Sequence, residues 1–115
     1  MRALVIVPFL ALAALPAQAA IQNKLAKSDI AAVVKANQPA ILACLNEHKR
    51  KNPTSTGNLV MRWSIQPAGK TTAVKVVSQE HRSTYAATCI SGLVKGWVFP
   101  QHKVQGVPVD WTFPF

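Results

Sequence analysis

With 115 residues, the chain has room for one domain and not two. It is 50% hydrophobic and only 15% charged, which excludes a disordered tail. Thirteen Lys and Arg against four Asp and Glu give a formal charge of +9, a balance that attracts polyanions.

The first residues read as a leader. Met1-Arg2 supplies a positive start, Ala3 to Leu15 is an apolar run interrupted by Pro8, and Pro16-Ala17-Gln18-Ala19 offers small residues before a cut after Ala19. Residues 1–19 therefore have the three-part layout of a secretory signal peptide. The run is shorter than the roughly 20 residues of a membrane-spanning helix, so no integral anchor is expected after cleavage. Cleavage would remove only Arg2 among the charged groups. The expected compartment is the periplasm, with secretion as the alternative. Both are oxidising, and the two cysteines, Cys44 and Cys89, can pair in only one way. Closing such a loop is worth about 4 kcal/mol in chain-entropy terms.

Residues 20–29 read as a polar lead-in to a domain spanning 30–115. Ser28-Asp29 suits an N-cap before Ile30, Val33 and Val34, a short amphipathic helix. Asn37-Gln38-Pro39 interrupts it, and Pro39 fits the first turn of a new helix. There Ile41, Cys44, Leu45 and His48 share one face, and Asn52-Pro53 ends the run. The period then changes from 3.6 to 2. Leu59, Met61, Trp63 and Ile65 alternate with polar neighbours as a strand with one buried face. Gln66 to Lys70 is turn chemistry, and Thr71 to Ser78 is a second strand, antiparallel to the first. Ser83 can cap a further helix carrying Ala86, Cys89, Ile90, Leu93 and Trp97 on one stripe. A last strand alternates Val107, Val109, Trp111, Phe113 and Phe115 on one face.

The predicted class is α+β, in the order α-β-β-α-β. A final crossing over the sheet gives a three-stranded antiparallel sheet of order 2-1-3 with the helices on one face. Cys44 and Cys89 then sit on the inward stripes of neighbouring helices, as a disulfide requires.

This layout resembles the C-terminal domain of the gliding-motility proteins AgmX and PglI, a family of TonB/TolA C-terminal-like domains. The resemblance runs from about Ile30 to Phe115. It rests on Cys44, on Gly57 before the strand Leu59 to Ile65, on Gly69, on Cys89-Ile90, on Trp97-Val98-Phe99-Pro100 and on Phe113-Pro114-Phe115. It implies a fold, an envelope compartment and a habit of binding proteins, and it carries over no catalytic residue. Relatives that transmit force or energy carry an anchor and a long linker; neither is read here, so energy transduction is not implied.

The remaining residues offer little chemistry. Paired carboxylates are lacking, because Asp29, Glu47, Glu80 and Asp110 have no near neighbours, and there is no Gly-rich phosphate loop. His48, His81 and His102 are scattered and read as surface histidines, with no metal site. A Cys89–His81 nucleophile pair, as in a small secreted hydrolase, would need an unpaired thiol. No catalytic residue and no cofactor is expected. The aromatic residues read as core and not as a carbohydrate platform.

Two binding surfaces stand out. The basic triplet Lys49-Arg50-Lys51 is a candidate contact for an anionic envelope polymer or lipid, although it equally suits a solvated helix end. Export argues against nucleic acid. The other surface is a sheet edge. Pro108 and Pro114 have the same parity, so both missing donors fall on the outer edge of the last strand. The second strand has no proline, and a protein partner recognised by strand addition is expected at Val74, Lys75 and Val76. The favoured reading is a non-catalytic periplasmic adaptor that binds another envelope protein. The alternative is a basic domain held at anionic envelope polymers or lipids.

Overall fold

A computed structural model describes residues 21–115 and the lone Ala3. Apart from Ala3, the proposed leader and its cleavage site lie outside the described residues. The elements are α1 (Lys27–Ala36), α2 (Gln38–Lys51), β1 (Asn58–Ile65), β2 (Thr71–Val76), a 3₁₀ turn at Gln79–His81, α3 (Tyr85–Lys95) and β3 (Val109–Pro114). The expected class holds: an α+β fold whose three antiparallel strands are ordered β2-β1-β3, with helices lying on the sheet.

Helix starts follow local chemistry, but not always at the expected residue. Ala26, and not Ser28 or Asp29, occupies the N-cap of α1, so the expected lead-in already turns helical at Lys27. Asp29 lies inside the first turn, and its carboxylate accepts from Ala26 N and from Gln22 Nε2, each at 3.0 Å. A carboxylate reaching back to the cap amide satisfies a donor that the helix cannot. Asn37 joins α1 to α2, and its Nδ2 donates to Val33 O at 2.8 Å. Pro39 sits in the first turn of α2, where a missing amide costs nothing. Thr84, one residue after the expected Ser83, caps α3 by accepting from Ala87 N at 3.2 Å.

The odd residues of β1 carry the core. Leu59, Met61 and Trp63 are fully buried, and Ile65 nearly so. They meet Ile41, Cys44 and Leu45 of α2 and Ala86, Ala87, Ile90 and Val94 of α3. The inward stripe of α3 is thus rotated from the expected one: Ala87 and Val94 are buried, while Cys89 and Leu93 are only partly so. Trp97 lies beyond the helix, yet is buried beside Trp63, ring centroids 5.7 Å apart and nearly perpendicular. Trp63 Nε1 is buried without a hydrogen-bond acceptor among the described residues. The disulfide joins Cys44 to Cys89 with Cα atoms 5.7 Å apart and ties α2 to α3 over the sheet.

One turn fixes the sheet's far end. Gly69 has φ +93°, a region open to glycine but strained for other residues. Its carbonyl accepts from Phe99 N at 2.9 Å, and a Cβ at Gly69 would collide with Phe99 O. Close backbone approach and positive φ both require glycine there.

Candidate functional site

The alternation of backbone hydrogen bonds decides which edges are open. Gly57 and Phe115 exchange both backbone bonds at 2.9 Å, so the odd residues of β1 point their amides toward β3. The amides of Asp110 and Thr112, opposite Arg62 and Val60, therefore face outward, and Pro114 has the same parity. The outer edge of β3 is thus flanked by the donorless Pro108 and Pro114. Val107, expected in this strand, lies outside it and is 86% exposed.

On the other side, Val77 N donates to Val60 O at 2.8 Å, and Val60 N donates to Ser78 Oγ at 2.8 Å. Lys75, opposite Arg62, shares the parity of Val77 and turns inward to β1. Val76, and by alternation Val74, turn their amides outward. Their side chains pack against the core margin, while the exposed Lys75 stands on the open face of the sheet. β2 ends at Val76, two residues short of the expected Ser78, because the Ser78 hydroxyl takes the place of a backbone partner.

Two features shorten this edge. The register shifts between Arg62 and Ser64, and Ala73 in the facing strand has φ +52°, so β2 carries a bulge there. Before the bulge the outer edge is covered. Lys70 bridges Val98, and Thr71 Oγ1 donates to Trp97 O at 2.9 Å. What remains open among the described residues is the stretch Val74–Val76. Neither limit was visible in the sequence: alanine does not announce a bulge, and the segment after α3 reads as a helix end. The inward–outward–inward pattern Trp97, Val98, Phe99 was the available signal, with Val98 70% exposed between two buried aromatics.

The basic triplet is less free than its sequence suggests. Arg50 Nη2 donates to Glu47 Oε1 at 2.6 Å and its Nε to Oε2 at 3.0 Å, which holds the Glu47 carboxyl below 4.5. Lys51 Nζ sits over the Tyr85 ring, 4.3 Å from its centroid. Only Lys49 of the three lacks such a partner among the described residues. A second charged cluster lies on the open sheet face, where Arg62 grips Asp110 through Nε at 2.6 Å and Nη2 at 2.9 Å. That hydrogen bonding, with the charges of Arg62 and Lys75, holds the Asp110 carboxyl below 3.8.

The histidines depart from the surface expectation. His48 is 2% exposed and His102 4%, and only the ring of His81, at 14%, borders solvent. His48 is buried because its helical position belongs to the apolar stripe and both ring nitrogens find partners. Ala86 N donates to Nδ1 at 3.4 Å, at the open N-terminus of α3, and Nε2 lies 3.1 Å from Ser55 Oγ. An Nδ1 that accepts places the ring proton on Nε2, which then donates to Ser55. A Ser–His nucleophile pair needs the reverse, with the imidazole accepting from the hydroxyl. This contact is structural. His81 packs edge-on to Phe115, centroids 5.0 Å apart, and the disulfide leaves no thiol for a Cys89–His81 pair.

A groove that sequence reasoning missed lies on the β3 side, between α1, the 102–108 segment and β3. Its residues come from three separate stretches of chain, 24–31, Ile65 and 102–111, so no local pattern could have assembled it. Comparison with family models, with curated proteins and with solved structures returned no match to this chain.

Proposed function

We propose that this chain is an exported periplasmic domain of the cell envelope that binds another envelope protein by strand addition at Val74–Val76. The carrying observation is the asymmetry of the sheet edges. The outer edge of β3 has outward amides at Asp110 and Thr112 but is bounded by the donorless Pro108 and Pro114. The first half of β2 is covered, whereas Val74–Val76 offers its outward amides with no proline beside them. The Cys44–Cys89 disulfide suits an oxidising compartment, and among the described residues no helix is long and apolar enough to cross a membrane. The resemblance to the AgmX and PglI C-terminal domains supports the same reading. The adaptor is non-catalytic in this proposal and needs no cofactor. Polyanion binding at Lys49-Arg50-Lys51 is the weaker reading, because Arg50 and Lys51 already have intramolecular partners.

Edge parity sharpens the test. Val76→Pro removes an outward donor and keeps the bonds to β1, a substitution that edge strands tolerate. Lys75→Pro removes an inward donor and serves as the destabilising comparison. Capture from envelope extract should recover a partner with the wild-type protein and lose it with Val76→Pro. Unchanged capture by a folded Val76→Pro variant overturns the proposal.

A further inference from the structure

The groove beside β3 encloses about 840 Å³, within the range of small-molecule sites. One wall is apolar: Leu25, Ile30, Val104, Val107, Val109 and Trp111 contribute to it. Backbone bonds build the site. Lys103 N donates to Gln22 O at 3.0 Å and Val104 N to Asn23 O at 2.9 Å, so the segment before α1 is laced to the segment before β3. Gln105 Nε2 donates to Ile65 O at 2.8 Å and pins the loop to the end of β1.

The charge at the groove has one sign. Lys24 and Lys27 line it, and neither has an ion-pair partner among the described residues. Asp110, the one acidic lining residue, is already gripped by Arg62. His102 lines the groove as well and is 4% exposed. Its Nδ1 lies 3.0 Å from Pro100 O, a carbonyl that can only accept. The ring proton is thus on Nδ1, and Nε2 has no hydrogen-bond partner among the described residues.

We infer that this groove binds a single-chain anionic amphiphile of the fatty-acid type, with its alkyl chain along the apolar wall and its carboxylate at Lys24 and Lys27. A methylene chain makes no hydrogen-bond demand, which matches a wall whose neighbouring sheet edge lacks a donor at Pro108. An extended peptide would find outward amides only at Asp110 and Thr112 and would meet no donor at Pro108, the part of the edge nearest the groove. The site is on the β3 side of the sheet and stands independently of the β2 edge.

The test is displacement of cis-parinarate from the full chain. Laurate should displace it, and the shorter caprate should be weaker by about five- to fifteenfold, as methylene burial requires. Lys24→Glu/Lys27→Glu should weaken laurate by about tenfold and leave uncharged lauryl glucoside unchanged. Val107→Asp, at an exposed position that the fold tolerates, should weaken both. The proposal is overturned if laurate fails to displace the probe, if the lysine reversal leaves laurate unaffected, or if Lys49→Glu/Lys51→Glu weakens it equally. Displacement by an acidic peptide in preference to laurate would overturn it too.

Discussion

Breaking the cross-link between α2 and α3 is the most quantitative perturbation available. Cys44 and Cys89 are 45 positions apart, so opening the loop returns about 4 kcal/mol of chain entropy to the unfolded state. Cys44 is also 3% exposed in the core, and truncation to alanine adds a small void worth about 1 kcal/mol. The combined loss, about 5 kcal/mol, equals the lower bound of stability for an ordinary domain, about 5–15 kcal/mol. Urea unfolding followed by the fluorescence of the buried Trp63 and Trp97 reads it directly. For a domain of this size the midpoint should fall by about 2–4 M in Cys44→Ala/Cys89→Ala, and by slightly less on reduction of the wild type. Reduction that lowers the midpoint by less than about 0.5 M, with unchanged slope, would refute the argument. It would mean that α2 and α3 hold their places on the sheet without the link.

Two further outcomes follow from single contacts. His48→Phe keeps the ring's bulk but orphans the Ala86 amide and the Ser55 hydroxyl, and should cost about 1–3 kcal/mol in chemical denaturation. A His48→Phe protein as stable as wild type would show that the imidazole serves only as filler. The Asp110 carboxyl titrates below 3.8 in the fold, so its pairing with Arg62 stabilises the protein above 3.8, and this contribution is lost as pH falls through the depressed value. The Tm difference between wild type and Asp110→Asn, small because both partners are exposed, should therefore shrink on acidification below 3.8. A difference that stays constant down to about pH 2 refutes the assignment.

Much of the architecture was legible in local pattern. The alternation from Leu59 to Ile65 announced β1 and its buried face, because a strand's period of two maps directly onto two surfaces. Pro39 and Asn52-Pro53 marked the ends of α2 through the missing amide of proline. Caps were off by one to three positions. The cap depends on contacts that local pattern does not show: the Asp29 carboxylate reaches back to the Ala26 amide, and Thr84 Oγ1 donates to His81 O at 2.7 Å. The surface reading of the histidines failed for a different reason. Burial of an imidazole depends on partners for both nitrogens, and those of His48 come from Ser55 and Ala86, on separate stretches of chain.

By itself the sequence determined the order of elements, the sheet order, the pairing of the two cysteines and the parity that leaves β3 short of outward donors. These follow from periodicity, chain connectivity and proline's missing amide, all of which are local or combinatorial. Only the tertiary structure decided how much of β2 stays open, which cations of the triplet are already engaged, and that a groove exists beside β3. Each depends on residues distant in sequence, Lys70 with Val98, Lys51 with Tyr85, and Lys27 with Val107, whose juxtaposition no local pattern encodes.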